Sequence, residues 1–480
     1  MRGLAGLADF RLGQLLVSPS RRLVEGPGGA RHLQPQVMLV FLCLARREGE
    51  VVTRRELFET CWGGAPVGDD SLNRALSAIR HMLDAVGAHA TTLETVPRTG
   101  YRLVASTAAA SELSEQRARA VEAAFDCWRS GEPKPDVAEI VAIENVLAGS
   151  AGDPREWGIL ALLMRKAAEY ADAEECGSYV ARCEEAARRA LAQDKQPHAL
   201  VALAGLMPLF GNWVNARTQL LEILSDHPHN IPARHDLAVL EMATGRPRAA
   251  VPLIAHLIAE DGLAATFHYK RMYHLWTLGD VQGAEQVAAR ALQLWPRHPA
   301  IWSARFWILI FTRRAEQALR LILDQSWRPP ISHAAAEFLR STAEIAAAFQ
   351  ANRISQLDID RHVARTIEVA ALGPAQAVAA LQTLYALDAI DEAFAVARGY
   401  YLGQGKSAAP LRWNANDPSI TDQHRRVTQL LFTPAANRMR EDDRFLPLCE
   451  DMGLASYWDA FGLVPDFLQG STTAPPIVRE

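Results

Sequence analysis

A period of 34 residues runs through the middle of the chain and leaves few folds open to it. Gly211, Gly245 and Gly279 recur at that interval, as do Ala216, Ala250, Ala284 and Ala318, and a third series reads Pro228, Gly262, Pro296 and Pro330. A period of this length marks a supersecondary unit that cannot bury its apolar face alone and must stack on its neighbours. Each position has a physical task. Glycine accepts the left-handed backbone of a tight turn between two helices. Alanine five residues later lets the paired helices approach closely, and proline twelve residues further on ends the second helix. The spacing predicts stacked helix pairs, an all-α solenoid, clearest over about 196–330.

These three series resemble the tetratricopeptide repeat, with Trp213 supplying an aromatic two residues after the first glycine and the other units lacking it. The pattern thins on both sides. Asp388-x-Ile390-x-x-Ala393 looks like a degenerate unit, and residues 170–192 like a stretched one. The segment from Leu431-Phe432-Thr433-Pro434 through Asp442-Asp443-Arg444-Phe445 to Tyr457-Trp458 and Pro465-Asp466-Phe467 resembles the closing part of other bacterial repeat-bearing regulators. It is expected to cap the solenoid's apolar end. The repeat domain is thus placed at 118–467, with a loose tail at 468–480.

The first 105 residues read differently. Short apolar segments at 10–12, 15–17, 22–24 and 31–33 are separated by Ser18-Pro19-Ser20 and Gly26-Pro27-Gly28-Gly29, a pattern of brief strands and turns. Residues 34–47 follow with Val37, Val40, Phe41 and Leu44 on one helical face. Thr53-x-x-Glu56 is a capping box opening a helix to about Trp62. From Asp70 a third helix carries Leu72, Leu76, Ile79 and Leu83 on one stripe, with Arg74, Ser77 and His81 opposite. Asp70 is the expected N-cap, with Asp69 beside it favouring the positive end of the helix dipole. A hairpin comes next, its strands at 93–96 and 101–104 and its tip at Pro97-Arg98-Thr99-Gly100.

The run Thr95-Val96-Pro97-Arg98-Thr99-Gly100-Tyr101-Arg102-Leu103 closely resembles the wing of OmpR/PhoB-type winged-helix transcription regulators, here in the CadC/HilA-like arrangement with a repeat domain behind it. Val52-Thr53-Arg54-Arg55-Glu56-Leu57 and Cys61-Trp62-Gly63 look like that family's second helix and the start of its next loop. Residues 8–104 are similar in order and spacing, about a fifth of the chain. The resemblance implies an α+β winged helix over 1–105, joined by a small, polar link at 106–117 to the solenoid. It implies that Arg74, Ser77, Ala78 and His81 read base edges in the major groove, that Arg80 lies near phosphate, and that Arg98 with Thr99 reaches the minor groove. Ala78 departs from relatives that carry arginine there, and Pro97 pushes Arg98 one residue later than usual. Thr53, Arg54 and Arg55 open a helix whose N-terminus and cations favour phosphate, a positioning role. Trp62 fits a core lid and a phosphate contact equally well. In relatives the loop matching 63–68 can touch RNA polymerase, which makes polymerase an expected partner beside duplex DNA.

Charge agrees with this division. Residues 1–105 hold 13 cations, all arginine, and a net charge of +3, while the remainder carries −8. The six cysteines (43, 61, 127, 176, 183 and 449) show no metal-ligand spacing and read as reduced thiols. The N-terminus lacks the apolar core of a signal peptide, and the most apolar run, 301–311, contains Arg305 and falls short of the roughly 20 residues of a membrane span. A cytoplasmic, nucleoid-associated protein without membrane partner is expected. Gly403-Gln404-Gly405-Lys406-Ser407 fails as a phosphate loop because Tyr400 stands where a glycine is needed. Histidines 227, 229, 235, 256, 268, 274 and 298 lack a metal spacing, and the aromatic residues between 267 and 311 read mainly as inter-helix packing, with peptide binding on a concave face as the alternative. No nucleophile–base or acid pair stands out, so neither an enzyme nor a cofactor is expected.

The function these features favour is a one-component, sequence-specific DNA-binding transcription regulator. Its winged helix starts within the first ten residues with no phosphoacceptor domain ahead of it, so input is expected through the repeats, as a bound protein or small effector, through homodimerisation, or through abundance. The alternative is an interaction adaptor whose winged helix contacts polymerase or another regulator instead of DNA; retained Arg74, His81 and Arg98 weigh against it. A repeat-bearing enzyme is the remaining class.

Overall fold

Alternating apolar residues write the first sheet. In the computed structural model, which describes Leu4 and residues 7–63, 68–88, 91–105, 108–132, 135, 137–148, 152–407 and 428–469, β1 (Phe10–Leu12), β2 (Leu15–Ser18), β3 (Leu23–Gly26) and β4 (Gly29–His32) form an antiparallel meander in chain order. Leu15, Val17 and Val24 are fully buried on one face, whereas every residue of β4 is exposed. The chain separates into two units, Met1–Arg119 and Ala120–Glu480.

In the first unit α1 (Pro35–Ala45) begins on proline, whose missing N–H costs nothing at a helix start. Then come β5 (Val52–Thr53), α2 (Arg54–Trp62), α3 (Asp69–Ala85), β6 (Thr91–Val96) and β7 (Gly100–Ala105), with a second sheet ordered β5-β7-β6. Gly100 is required there: a Cβ would stand 2.1 Å from the Val52 carbonyl oxygen. Leu72, Leu76, Ile79 and Leu83 of α3 are buried with Phe41, Leu57 and Leu103 in one core. The expected cap of α3 needs correcting. Gly68 is the N-cap, without a side-chain bond, and Asp69 and Asp70 are the first two helical residues. Both carboxylates still lie at the positive end of the helix dipole.

The second unit is helical. The stretch expected as a link is helix from Ala108, in α4 (Ala108–Ser130), whose residues up to Arg119 count with the first unit and whose remainder opens the second, while 106–107 lie outside the described residues. After it come α5 (Val137–Ala148), α6 (Pro154–Tyr170) and α7 (Ala173–Leu191). The repeat follows as α8 (Pro197–Ala204) with α9 (Trp213–Asp226), α10 (Ile231–Ala243) with α11 (Pro247–Glu260), α12 (Ala265–Thr277) with α13 (Val281–Leu294), and α14 (Pro299–Phe311) with α15 (Ala315–Leu323). First helices start 34 residues apart, and so do second helices. Gly211, Gly245 and Gly279 take φ of 76°, 79° and 86° in the turns, and Arg313 fills the fourth such position at 60°. Ala250, Ala284 and Ala318 are at most 1 % exposed; Ala216, in the first pair, is half-buried.

Two further pairs, α16 (His333–Gln350) with α17 (Gln356–Ala370) and α18 (Pro374–Ala386) with α19 (Ile390–Leu402), turn through Asn352 and Asp388 at positive φ. The second of these is the degenerate unit expected at 388–393. First and second helices are buried differently. α14 buries Ile301, Trp302, Ala304 and all of 306–310, whereas α15 buries only Ala315, Ala318 and Ile322. First helices are therefore interior and second helices face outward. The aromatic residues of 267–311 follow that division: Phe267, Trp276, Trp302, Phe306 and Trp307 are core.

The closing segment does not simply cover one end, which corrects the capping expectation. Its elements, a 3-10 turn at Thr428–Phe432, α20 (Asn437–Arg440), α21 (Phe445–Asp451) and α22 (Leu454–Phe461), reach both early and late repeat units. Toward the early units, Trp213 Nε1 donates to Met452 O at 3.0 Å, Trp458 Nε1 to Thr244 O at 2.9 Å, and Arg248 N to Asp466 Oδ2 at 2.8 Å. Toward the late ones, Arg444 pairs with Asp391 and Arg398 with Asp451, both at 2.7 Å. Phe210 also stacks on Tyr401 with centroids 6.0 Å apart, so the α8–α9 turn meets α19 directly. Burial accompanies these contacts: Tyr457, Phe445 and Leu431 of the closing segment are fully buried. The tail from 470 onward lies outside the described residues.

Ala284→Leu should overpack the α12–α13 contact and cost about 1–3 kcal/mol. Denaturant melts followed by Trp fluorescence of the repeats should move, while the winged helix keeps its own midpoint, read from amide exchange at 52–57 and 100–105. An unchanged repeat midpoint would mean that the alanine spacing does not set the helix approach.

Candidate nucleic-acid interface

The amphipathic stripe of α3 leaves a polar face outward. Asn73, Arg74, Ser77, Arg80 and His81 are exposed, and Ala78 is half-buried between that face and the core. The side chains of Arg74, Ser77 and His81 have no hydrogen bond or ion pair among the described residues. Arg80 is engaged: its Nη2 donates to Thr95 Oγ1 at 2.9 Å, tying the middle of α3 to β6. The helix and the hairpin are thereby held in one register.

The residues at the start of α2 divide by role. Thr53 closes the expected capping box: Glu56 N donates to its Oγ1 at 3.2 Å, and Thr53 N donates back to Glu56 Oε2 at 2.8 Å. Arg47, 2.8 Å away, and the Thr53 donors hold the Glu56 carboxyl down to about 2. The support this carboxylate gives is complete above the ordinary glutamate range and is lost as pH falls toward 2. Arg54 is a connector. Its Nη1 donates to Tyr101 OH at 2.8 Å and its Nη2 lies 3.1 Å from Asp69 Oδ1, which joins α2, the wing strand and the first residue of α3. Arg55 stays 85 % exposed with only a 3.8 Å approach to Glu59. Trp62 is half-buried against Phe58, centroids 5.5 Å apart. Gly63 ends α2 in the left-handed region at φ 62°, and 64–67, most of the loop expected to touch polymerase, lie outside the described residues.

At the wing, Thr99 N donates to Val96 O at 3.1 Å and closes the turn. Arg98 sits at its tip with φ 63°, exposed and without a described partner. Thr99 Oγ1 donates to Pro97 O at 3.3 Å. Arg102 is neutralised by Glu94 across the hairpin at 2.6 Å. The sequence reading missed one feature. A groove of about 890 Å³ runs along α3, lined by Arg74, Ala78, His81 and Trp62 and, from β4, by Arg31 and His32. Arg31 and His32 are far in sequence from Arg74, Ala78 and His81, and no local pattern marks their meeting.

The six scattered cysteines also hide a pair. Cys43 of α1 meets Cys61 of α2, and the bond from the Cys61 thiol, aided by Arg47 against the effect of burial, brings Cys43 down to about 7. Cys61 is correspondingly pushed up by Cys43 and by burial.

Residues 28–103 match the family model described as transcriptional regulatory protein, C terminal. The matched domain covers β4 through most of β7 and so contains every residue singled out above. The chain is also similar to the cholera toxin homolog transcriptional activator of Vibrio parahaemolyticus, 40 % identical over 77 residues, or 16 % of this chain and 26 % of that protein. It is 38 % identical over 85 residues to the cholera toxin transcriptional activator of Vibrio cholerae, covering 17 % of this chain and 28 % of that one. The transcriptional activator CadC of Escherichia coli is 30 % identical over 95 residues, 20 % of this chain and 19 % of its own length. The chain thus spans less than a third of each relative. The winged-helix resemblance read from the wing and the capped helix is shown for this domain. Among the described residues no helix is long and apolar enough to cross a membrane.

Iodoacetamide at pH 7.5 should alkylate Cys43 ahead of Cys176, Cys183 and Cys449, since the thiolate is the nucleophile and burial pushes Cys183 and Cys449 up to about 12. Peptide mapping over time checks the order; Cys43 reacting last would contradict the assignment.

Proposed function

We propose that this protein is a sequence-specific DNA-binding transcription regulator that lays α3 in the major groove and its hairpin tip in the minor groove. The observation that carries the reading is the unpartnered face of Arg74, Ser77 and His81 on a helix fixed to its wing by the Arg80–Thr95 bond. A side chain without an internal partner is free to read a base edge, and a rigid helix–wing pair presents it in one register. Arg74 is placed for guanine, Ala78 for a thymine methyl, and Arg98 for the minor groove. Arg55 and Trp62 lie toward the backbone, while Thr53 and Arg54 act as supports for the helices that make the contacts. RNA polymerase is the proposed protein partner of the 63–68 loop, self-association on a two-fold operator the way to higher affinity, and a protein or small effector on the repeats the input.

Arg74→Ala should lose about 1–3 kcal/mol on the preferred duplex and relax its sequence preference, because a base contact goes. Arg55→Ala should weaken all duplexes alike and lower the salt slope by about one. Gel shifts on specific and scrambled DNA at two salt concentrations separate the two. If Arg74→Ala changes neither affinity nor preference, α3 is not the reading helix and the adaptor reading takes its place.

The fragment 1–107 should fold and bind duplex on its own, since the core of the first unit draws only on residues 4–105. Its binding should be weak, as one small module makes few contacts. A fragment that folds by circular dichroism yet binds no duplex that the full chain binds would assign part of the interface to the repeats.

A further inference from the structure

The inner helices of the second unit bring together charge that the fold itself does not neutralise. His235 and Asp236 on α10 and Tyr269 and Lys270 on α12 are 34 residues apart, so the repeat gives both pairs the same facing. Arg165, Lys166 and Glu169 come from α6. The groups lie close enough for their charges to act on one another: Lys270 on His235, Asp236 and Tyr269, Lys166 on His235 and Tyr269, and Arg165 on Asp236. The chain holds only five lysines, at 134, 166, 195, 270 and 406, and two of them are here. A lysine is a mobile point charge on a flexible stem, suited to following a ligand.

The local pairings leave a surplus. Lys166 stands 3.9 Å from Glu169, and Asp236 is joined to His235 at 2.9 Å. Lys270 has no carboxylate within ion-pair distance among the described residues; its ammonium donates to Tyr269 OH at 2.8 Å and rests 4.6 Å from that ring's centroid. One turn further along α12 is His274, 3 % exposed, with both ring nitrogens unpartnered. His235 likewise leaves Nε2 without a partner, its ring held between Trp128 and Phe267 at 5.6 and 5.8 Å. Buried polar atoms in a native fold are normally bonded, and a group of orphans beside an unpaired cation points to something that binds there. Water reaches the place: the side chains of Lys166 and Asp236 remain 24 % and 23 % exposed. Burial, together with Lys270 and Arg271, brings His274 down to about 3, so at neutral pH it is an uncharged imidazole with one donor and one acceptor.

We propose that this inner face of α6, α10 and α12 binds a small organic anion bearing carboxylate or phosphate oxygens, with Lys270 and Lys166 as charge partners and the Tyr269 hydroxyl and the His274 ring as hydrogen-bonding groups. The anion supplies the countercharge that Lys270 lacks and a partner for the orphan imidazole. The site specifies the effector class in the regulator reading above and rests on that reading only for its consequence, since the binding itself needs no DNA.

Calorimetric titration and thermal melts of the full chain, at matched ionic strength, with citrate, inorganic phosphate and spermidine test the site. Citrate or phosphate is expected to bind and raise Tm, with spermidine inert; the stronger of the two anions tells carboxylate from phosphate recognition. Lys270→Met should weaken that binding by at least about tenfold while leaving the ligand-free Tm in place, and Lys195→Met, at an exposed pair with Asp226, should bind as wild type. If Lys270→Met does not fold, Tyr269→Phe takes its place, with a loss of a few-fold expected. The site is overturned if neither anion binds beyond matched chloride, or if the folded variant binds like wild type. Gel shifts on the same ligand-free preparations report separately on DNA binding, so either idea can fail without the other.

Discussion

How closely two consecutive helices can lie governs the larger unit. At Gly211, Gly245 and Gly279 the backbone turns through the left-handed region, which an L side chain enters only at a cost, and the chain reverses within a few residues. Ala250, Ala284 and Ala318 then remove the side chain that would hold the pair apart. Arg313, Asn352 and Asp388 adopt the same backbone without glycine at exposed turns, and asparagine and aspartate enter that region more readily than other L residues. Once each pair is tight, its first helix is enclosed by neighbours before and after, and in α14 the bulky Trp302, Phe306 and Trp307 fill the space. The closing segment completes that enclosure by reaching Thr244 and Trp213 at one side and Asp391 at the other.

The smaller unit uses arginine in two ways. Arg54 and Arg80 are committed to internal bonds, one to Tyr101 and Asp69, the other to Thr95, and these bonds orient α3 against α2 and the hairpin. Arg55, Arg74 and Arg98 remain outward. A planar guanidinium can serve either purpose, so residue type alone does not separate a support from a contact. Only the partner does. The same holds for Thr53, whose hydroxyl is occupied by the capping box.

Periodicity was legible wherever it was local. The strands of the first sheet, the stripe of Leu72, Leu76, Ile79 and Leu83, the capping box at Thr53 and the hairpin around Arg98 can all be read from neighbours within about a helical turn or a tight loop. The N-cap of α3 is not decided locally, because Asp70 and Gly68 are both acceptable cap residues and it is Gly68 that takes the position. The link at 106–117 is marked in the sequence by its small and polar residues, and since alanine and glutamate are good helix formers α4 starts within it at Ala108.

What the sequence determined by itself is the pair of architectures, since a 34-residue period and a wing motif each repeat or adjoin within a short stretch of chain. What the tertiary structure alone decided is every relation between distant residues. Arg31 and His32 join the α3 groove, Cys43 meets Cys61, the closing segment bridges early and late repeats, and Lys270 gathers with Lys166, His235 and His274. Such meetings depend on how whole helices and sheets pack, and packing is a sum of many weak contacts that no single stretch of sequence encodes.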